Sequence, residues 1–224
     1  MSTILISGAG RGLGLELARQ YAEDGWRVIG TMRDAAARKR LEKLGAQAHI
    51  VDVTRLEHIE TLAKQLNDEA LDVLFCSAGI IGKRGMALGK FDYASWDEVL
   101  RVNLLGAAAV AEALLPNILA GERKVIAMMS SRLGSIAEAS GMTLPYATSK
   151  AALNMLVKGL AAQLASQAVV VVALSPGWVR TDMGGASAPL APQTSAANLR
   201  SVIAGLKQGD SGKFLSHDGS PIPW

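Results

Sequence analysis

An α/β fold, one doubly wound parallel sheet with helices on both faces, is what this 224-residue sequence predicts. Three observations carry the prediction. Short apolar runs alternate with segments of helical spacing from one end of the chain to the other. The run Val169–Leu174 is continuously apolar, as a strand covered on both faces must be. Half of the residues are hydrophobic but only 4% are aromatic, so the core must be filled by aliphatic side chains and Ala. With 19% charged residues, that hydrophobic content also excludes disorder as the main state. The length suits one open sheet, and residues 1–224 are expected to form a single domain.

The elements follow in order. Thr3–Ser7 is a first strand ending in glycines, and Leu13, Leu15, Leu17, Ala18 and Tyr21 then recur with helical spacing up to Gly25. Arg27–Thr31 is a second strand. Asp34 is placed to cap a helix over residues 35–44, which Gly45 stops. Ala48–Val51 is a third strand, a helix runs from about Arg55 to Leu66, and Leu71–Cys76 is a fourth strand. Ser95-Trp96-Asp97-Glu98 has the capping-box pattern, with a long Ala- and Leu-rich helix after it. Lys124–Met129 is a fifth strand, Pro145 opens a helix over 146–166, and Val169–Leu174 is the sixth strand. A last helix near 195–207 precedes a short strand at Phe214-Leu215. Segments 80–94 and 183–194 read as loops beyond the carboxyl ends of strands four and six, where ligands bind in such sheets.

Charge and composition exclude several classes. The net charge is +3, and the densest basic group, Arg38-Lys39-Arg40, suits a solvated helix face, so no nucleic-acid partner is expected. The apolar stretch Leu104–Ala120 is interrupted by Glu112, Pro116 and Asn117, so no membrane span is expected. Ser2–Ser7 is too short and lacks the basic start of a signal peptide. The lone cysteine, Cys76, fits a reducing compartment, and a cytoplasmic protein is expected. No metal site is expected.

The chemistry begins at Gly8-Ala9-Gly10-Arg11-Gly12-Leu13-Gly14, which joins the first strand to the first helix. The pattern G-x-G-x-x-G fails, because Leu13 and Leu15 stand where its third glycine belongs, and no Gly-Lys-Ser/Thr follows as a P-loop requires. What fits is Gly8-x3-Gly12-x-Gly14. Such a turn lets backbone N–H groups and a helix N-terminus approach a pyrophosphate with no side chain in the way. A tight turn without a ligand is the competing reading.

This turn resembles the signature of the short-chain dehydrogenases/reductases, a Rossmann-like family, and three further matches occur in the expected order. Tyr146-Ala-Thr-Ser-Lys150 puts a phenol and an amine on one helix face. Ser130-Ser131 ends strand five, and Asn103 lies in Val102-Asn103-Leu104-Leu105-Gly106. The resemblance implies that Ser131 hydrogen-bonds a substrate carbonyl oxygen and Tyr146 donates its proton. It further implies that Lys150 binds the nicotinamide ribose and lowers the Tyr146 pKa, and that Asn103 helps hold a water relaying protons to Lys150. Ser135 is a second candidate for the serine, since the spacing from Ser131 to Tyr146 is about two residues longer than in many relatives.

The same resemblance assigns cofactor contacts to Gly8, Gly10, Arg11, Gly12, Leu13 and Gly14, and to Asp52 and Val53 beside the adenine. It adds Ala78 and Gly79 at the ribose, and Pro176, Gly177, Val179 and Thr181 at the nicotinamide carboxamide. Asp52 reads equally as a cap for the next helix. One departure is clear: Cys76-Ser77-Ala78-Gly79 replaces the usual Asn-Asn-Ala-Gly, which puts the asparagines' bracing hydrogen bonds in doubt. The ending Gly212–Trp224 is similar to a compact carbonyl-reductase-like branch that includes C-factor-like signalling reductases.

An NAD site favours a carboxylate at the end of strand two, where this chain has Met32 and Arg33. Arg33 and Arg11 suit a 2′-phosphate, so NADP(H) is expected and NAD(H) is disfavoured. Asp34 either caps its helix or reaches the ribose. The expected function is NADPH-dependent reduction of small aldehyde or ketone carbonyls. An NADP(H)-binding signalling or sensor protein is the alternative. A homodimer or homotetramer paired through the helices near 96–119 and 146–166 is expected.

Overall fold

A computed structural model describes residues 1–67 and 69–224. Seven strands form one parallel sheet: β1 (Thr3–Ser7), β2 (Arg27–Met32), β3 (Gln47–Ile50), β4 (Val73–Cys76), β5 (Val125–Met129), β6 (Val170–Ser175) and β7 (Phe214–Ser216). Their spatial order is β3-β2-β1-β4-β5-β6-β7, and every neighbouring pair is parallel. The chain winds outward in one direction from β1 to β3, then crosses back to β4 and winds in the other. The crevice between β1 and β4 is therefore the switch point, where ligands bind in open α/β sheets.

Period-two alternation divides the core between the two faces. Ile4 and Ile6 of β1, Val73 and Phe75 of β4, and Val170, Val172 and Leu174 of β6 pack on one side. They meet α1 (Gly12–Glu23), α2 (Arg38–Glu42) and α8 (Pro192–Gly205). Leu5, Leu74, Cys76, Ile126, Met128, Val171 and Ala173 face the other way. There they meet α3 (Leu56–Gln65), α5 (Gly106–Ala113), α6 (Leu115–Ala120) and α7 (Leu144–Gln163). Two covered faces explain why the inner strands read as unbroken apolar runs rather than alternating ones.

Three expectations need correction. The helix over 35–44 is a single 3₁₀ turn at 35–37 followed by five α residues, because only Ala37 and Leu41 anchor it while its basic residues stay in solvent. Asp34 does cap it, accepting the Ala36 N–H at 2.9 Å, and Gly45 ends it at φ +74°. The Ser95 capping box does not form. Asp92 is the N-cap of α4 (Tyr93–Leu100), its carboxylate accepting the Ser95 N–H at 3.0 Å, while Ser95 Oγ accepts from Lys83 N. A carboxylate one turn earlier outcompetes the serine for the free N–H groups. The long helix after it is interrupted twice, by a π turn at Arg101–Leu105 and at Leu114, after which α6 starts at Leu115 with Pro116 as its second residue. Other boundaries move by one to three residues.

Candidate active site

The site is assembled at the carboxyl ends of β1, β4, β5 and β6. The turn after β1 requires its glycines for steric reasons. Gly8 sits at φ +75° and Gly12 at φ +55°. A Cβ on Gly8 would lie 2.7 Å from Ala78 Cα, and one on Gly14 would lie 2.4 Å from Gly8 O. The start of α1 thus packs against the strand end with no room for a methyl group. Arg11, the N-cap, lends no side-chain hydrogen bond, and the first turn of α1 contains no acidic residue. That end of the helix presents backbone N–H groups and a positive dipole end, which suits a pyrophosphate. The residues present fit a dinucleotide.

The segment after β6 closes over this turn. Thr181 Cγ2 is 3.7 Å from where a Gly12 Cβ would stand. Thr181 Oγ1 accepts the Gly184 N–H at 3.2 Å, and Val179 is buried in an isolated bridge to Leu190. Pro176 O accepts from Ser195 Oγ at 2.7 Å, and Gly177 adopts φ +79° against the His217 ring. Thr181 is thus the residue of this segment that meets the glycine turn, while Pro176, Gly177 and Val179 are held by contacts to Ser195, His217 and Leu190.

After β3, Asp52 Oδ1 accepts from Thr54 N at 3.0 Å and from Thr54 Oγ1 at 2.7 Å. Partial burial opposes ionisation, but these bonds and the nearby Arg33 charge hold the Asp52 carboxyl below its ordinary value. Val53 is buried against Gly106. Met32 is buried at the end of β2, and Arg33 next to it is exposed. The Asp34 carboxylate uses its Oδ1 to cap the turn that follows. Arg11 pairs with Asp182 at 3.4 Å with both side chains largely in solvent, a loose contact that leaves the guanidinium available.

The Tyr/Lys pair lies on the buried face of α7. The Ser131 hydroxyl is the polar neighbour of the Tyr146 phenol. Burial pushes the Tyr146 phenol up to about 12, and the Ser131 hydroxyl acts in the opposite direction. Lys150 is 3% exposed and donates to Met129 O at 2.7 Å. Burial drives its ammonium down to about 8. Its Nζ stands 5.6 Å from the centroid of the Tyr146 ring. The Lys150 ammonium spends a hydrogen bond on a main-chain carbonyl, and burial is the largest influence on the Tyr146 phenol.

Asn103 occupies the π turn, a distortion frequent at functional sites. Its Oδ1 accepts from Ile80 N at 2.8 Å, and its Nδ2 donates to Ile80 O and Ser149 Oγ, both at 2.9 Å. Ser149 in turn donates to Tyr146 O at 2.7 Å. A Cβ on Gly79 would stand 3.3 Å from Asn103 Oδ1 and 3.7 Å from Lys150 Nζ. Asn103 therefore ties the loop after β4 to the part of α7 that carries Tyr146 and Lys150. The bracing put in doubt by Cys76-Ser77 is supplied here and by Ser7, whose Oγ accepts from Ala78 N at 3.4 Å.

The structure separates the two serine candidates. Ser131 reaches Tyr146. Ser135 is turned away: it donates to Trp224 O at 3.3 Å and accepts from Glu138 N at 3.2 Å. The sequence reading missed Ser7, Ser149, Ser175 and Asn154 as supports. Asn154 carried a usable signal, since it lies one turn beyond Lys150 on the same face. Among the described residues no cluster of His, Cys, Asp or Glu is arranged to hold a metal ion.

Comparison with known proteins agrees with this arrangement. The family model for short chain dehydrogenases matches residues 2–189. The C-signal protein of Myxococcus xanthus is 40% identical over 155 residues, covering 69% of this chain and 93% of that protein. The carbonyl reductase Sniffer of D. melanogaster superimposes with a TM-score of 0.92 at 32% identity, covering 100% of both chains. The NADPH-bound carbonyl reductase from chicken fatty liver gives 0.92 at 27% identity, covering 100% of this chain and 99% of that one. With the family match spanning most of its length, the seven-stranded sheet and the glycine turn in place, this chain belongs to the short-chain dehydrogenase/reductase family of oxidoreductases.

Proposed function

We propose that the protein is an NADPH-dependent carbonyl reductase acting on small aldehydes or ketones, with residues 1–224 as one dinucleotide-binding domain. The observation that carries the reading is buried Lys150 with its Nζ 5.6 Å from the Tyr146 ring centroid, and Ser131 as the hydroxyl neighbour of that phenol. When bound, the dinucleotide supplies the hydride. Ser131 donates a hydrogen bond to the carbonyl oxygen as charge develops there. Tyr146 then protonates that oxygen; its raised pKa keeps the phenol protonated and competent as an acid at neutral pH. Lys150, mostly charged at pH 7, would hold the nicotinamide ribose and return a proton toward Tyr146. Both N–H groups of the Asn103 amide are committed, so its part is to hold Ile80 and Ser149, with any water relay drawing on another atom.

Arg33 and Arg11 support NADPH over NADH, and the carboxylate beside Arg33, Asp34, uses its Oδ1 to cap the following turn. The structural neighbour from chicken fatty liver carries NADPH. NADPH oxidation with a panel of aldehydes, ketones and quinones tests the assignment, and no turnover on any of them overturns it. The likeness to a protein named C-signal favours a second reading, an NADP(H)-binding signalling protein. Tight NADPH binding without turnover would select it. Exposed Leu105 and Met155 support the proposal that these helices pair in a homodimer or homotetramer, which light scattering tests. No helix among the described residues is long and apolar enough to cross a membrane, and the lone buried Cys76 supports a cytoplasmic setting.

A further inference from the structure

The turn that carries Ser131 is clasped from behind by one side chain. Asn154 is 3% exposed on α7, one turn beyond Lys150 and two beyond Tyr146. Its Oδ1 accepts from Ser130 Oγ at 2.6 Å, and its Nδ2 donates to Gly134 O at 3.1 Å. Those partners bracket Ser131 on both sides. Within the bracket, Gly134 N donates to Ser131 O at 2.8 Å, and Ser131 Oγ accepts from Leu133 N at 3.2 Å. Gly134 lies so close to α7 that a Cβ there would stand 2.8 Å from Lys150 C and Cβ. On the far side, Ser130 N is bonded to Leu174 O and Arg132 N to Ser175 Oγ, both on β6.

We propose that Asn154 is the positioning residue for Ser131. The helix that presents Tyr146 and Lys150 also sets, through this amide, the angle at which the serine hydroxyl meets the Tyr146 phenol. An amide is suited to the task because it accepts at one end and donates at the other, and the two flanks of the turn offer one donor and one acceptor. A buried polar group of this kind is otherwise costly, so the pairing of both its oxygen and its nitrogen is the expected sign of a structural assignment. The inference rests on the reading of Ser131 as the group that orients the carbonyl.

The test compares Ser131→Ala, Asn154→Ala and the double variant for kcat, NADPH affinity and the pH profile of carbonyl reduction. Asn154→Ala is expected to lower kcat about ten- to a hundredfold, the cost of small misplacements in an active site, while NADPH affinity is unchanged. Removing or turning the Ser131 hydroxyl, which lowers the Tyr146 pKa, lets that pKa rise, so the basic limb of the profile moves to higher pH in both single variants. In the Ser131→Ala background, Asn154→Ala is expected to add nothing. Normal kcat in Asn154→Ala, an unmoved basic limb, or a full additional loss in the double variant overturns the inference. Normal turnover in Ser131→Ala overturns instead the underlying reading. If Asn154→Ala does not fold, Ser130→Ala decides: a reduced kcat with a shifted limb supports the clasp, and wild-type behaviour overturns it.

Discussion

Replacing Lys150 by methionine removes a buried cation from the centre of the site. The ammonium is 3% exposed, and its pKa falls from the ordinary 10.5 to about 8. At one pKa unit per 1.36 kcal/mol, holding it charged in the folded chain costs about 3 kcal/mol near neutral pH. The sign follows from proton counting. Between about pH 8 and 10.5 the unfolded chain keeps this proton while the folded chain releases it, so native stability rises with pH across that window. Lys150→Met lacks the penalty. It is expected to be more stable than the wild type at pH 7, by up to about 3 kcal/mol, less whatever the Met129 carbonyl loses as a partner. For a chain of this size that is roughly 6–12 °C in Tm. The advantage should shrink by about 2 kcal/mol between pH 7 and 9.5 as the wild-type amine becomes neutral. Urea unfolding of both proteins at several pH values measures it, and staying below pH 10 avoids the opposing effect of Tyr146, whose raised pKa matters between 10 and 12. A stability difference that stays flat from pH 7 to 9.5 would refute the idea that desolvation governs Lys150. Activity should be lost in the same variant, so the stability given up at this position is tied to function.

Tyr146→Phe should reduce turnover by at least about a hundredfold, the usual contribution of a positioned acid, while NADPH binding measured by fluorescence is retained. Gly14→Ala places a methyl 2.4 Å from Gly8 O, and should abolish NADPH binding and cost about 1–3 kcal/mol by overpacking, read by thermal melting. Arg33→Ala should weaken NADPH relative to NADH by about tenfold, as expected for one lost charge-assisted contact, checked by the ratio of kcat/KM values. Asp92→Ala removes the α4 cap and should cost about 1 kcal/mol in urea unfolding with little change in NADPH affinity.

Residue order alone made the sheet, the glycine turn and the Tyr146/Lys150 pair legible, because each depends on local periodicity: period two for strands, four-residue spacing on a helix, and glycines where a side chain cannot fit. The doubly covered sheet also left its mark as unbroken apolar runs. What packing decided is of a different kind. The sequence ranked Ser131 ahead of Ser135 without excluding the latter, and the folded loop sets one beside Tyr146 and turns the other to Trp224 O. The capping role went to Asp92 rather than Ser95 through competition for the same N–H groups. The π turn at Asn103 comes from a ladder shift with no residue signature of its own, and the Asn154 clasp joins positions 20 and 24 residues apart. Burial, set by the whole fold, is what moves Lys150 down and Tyr146 up, so the chemistry of two residues visible in the sequence was decided by the core built around them.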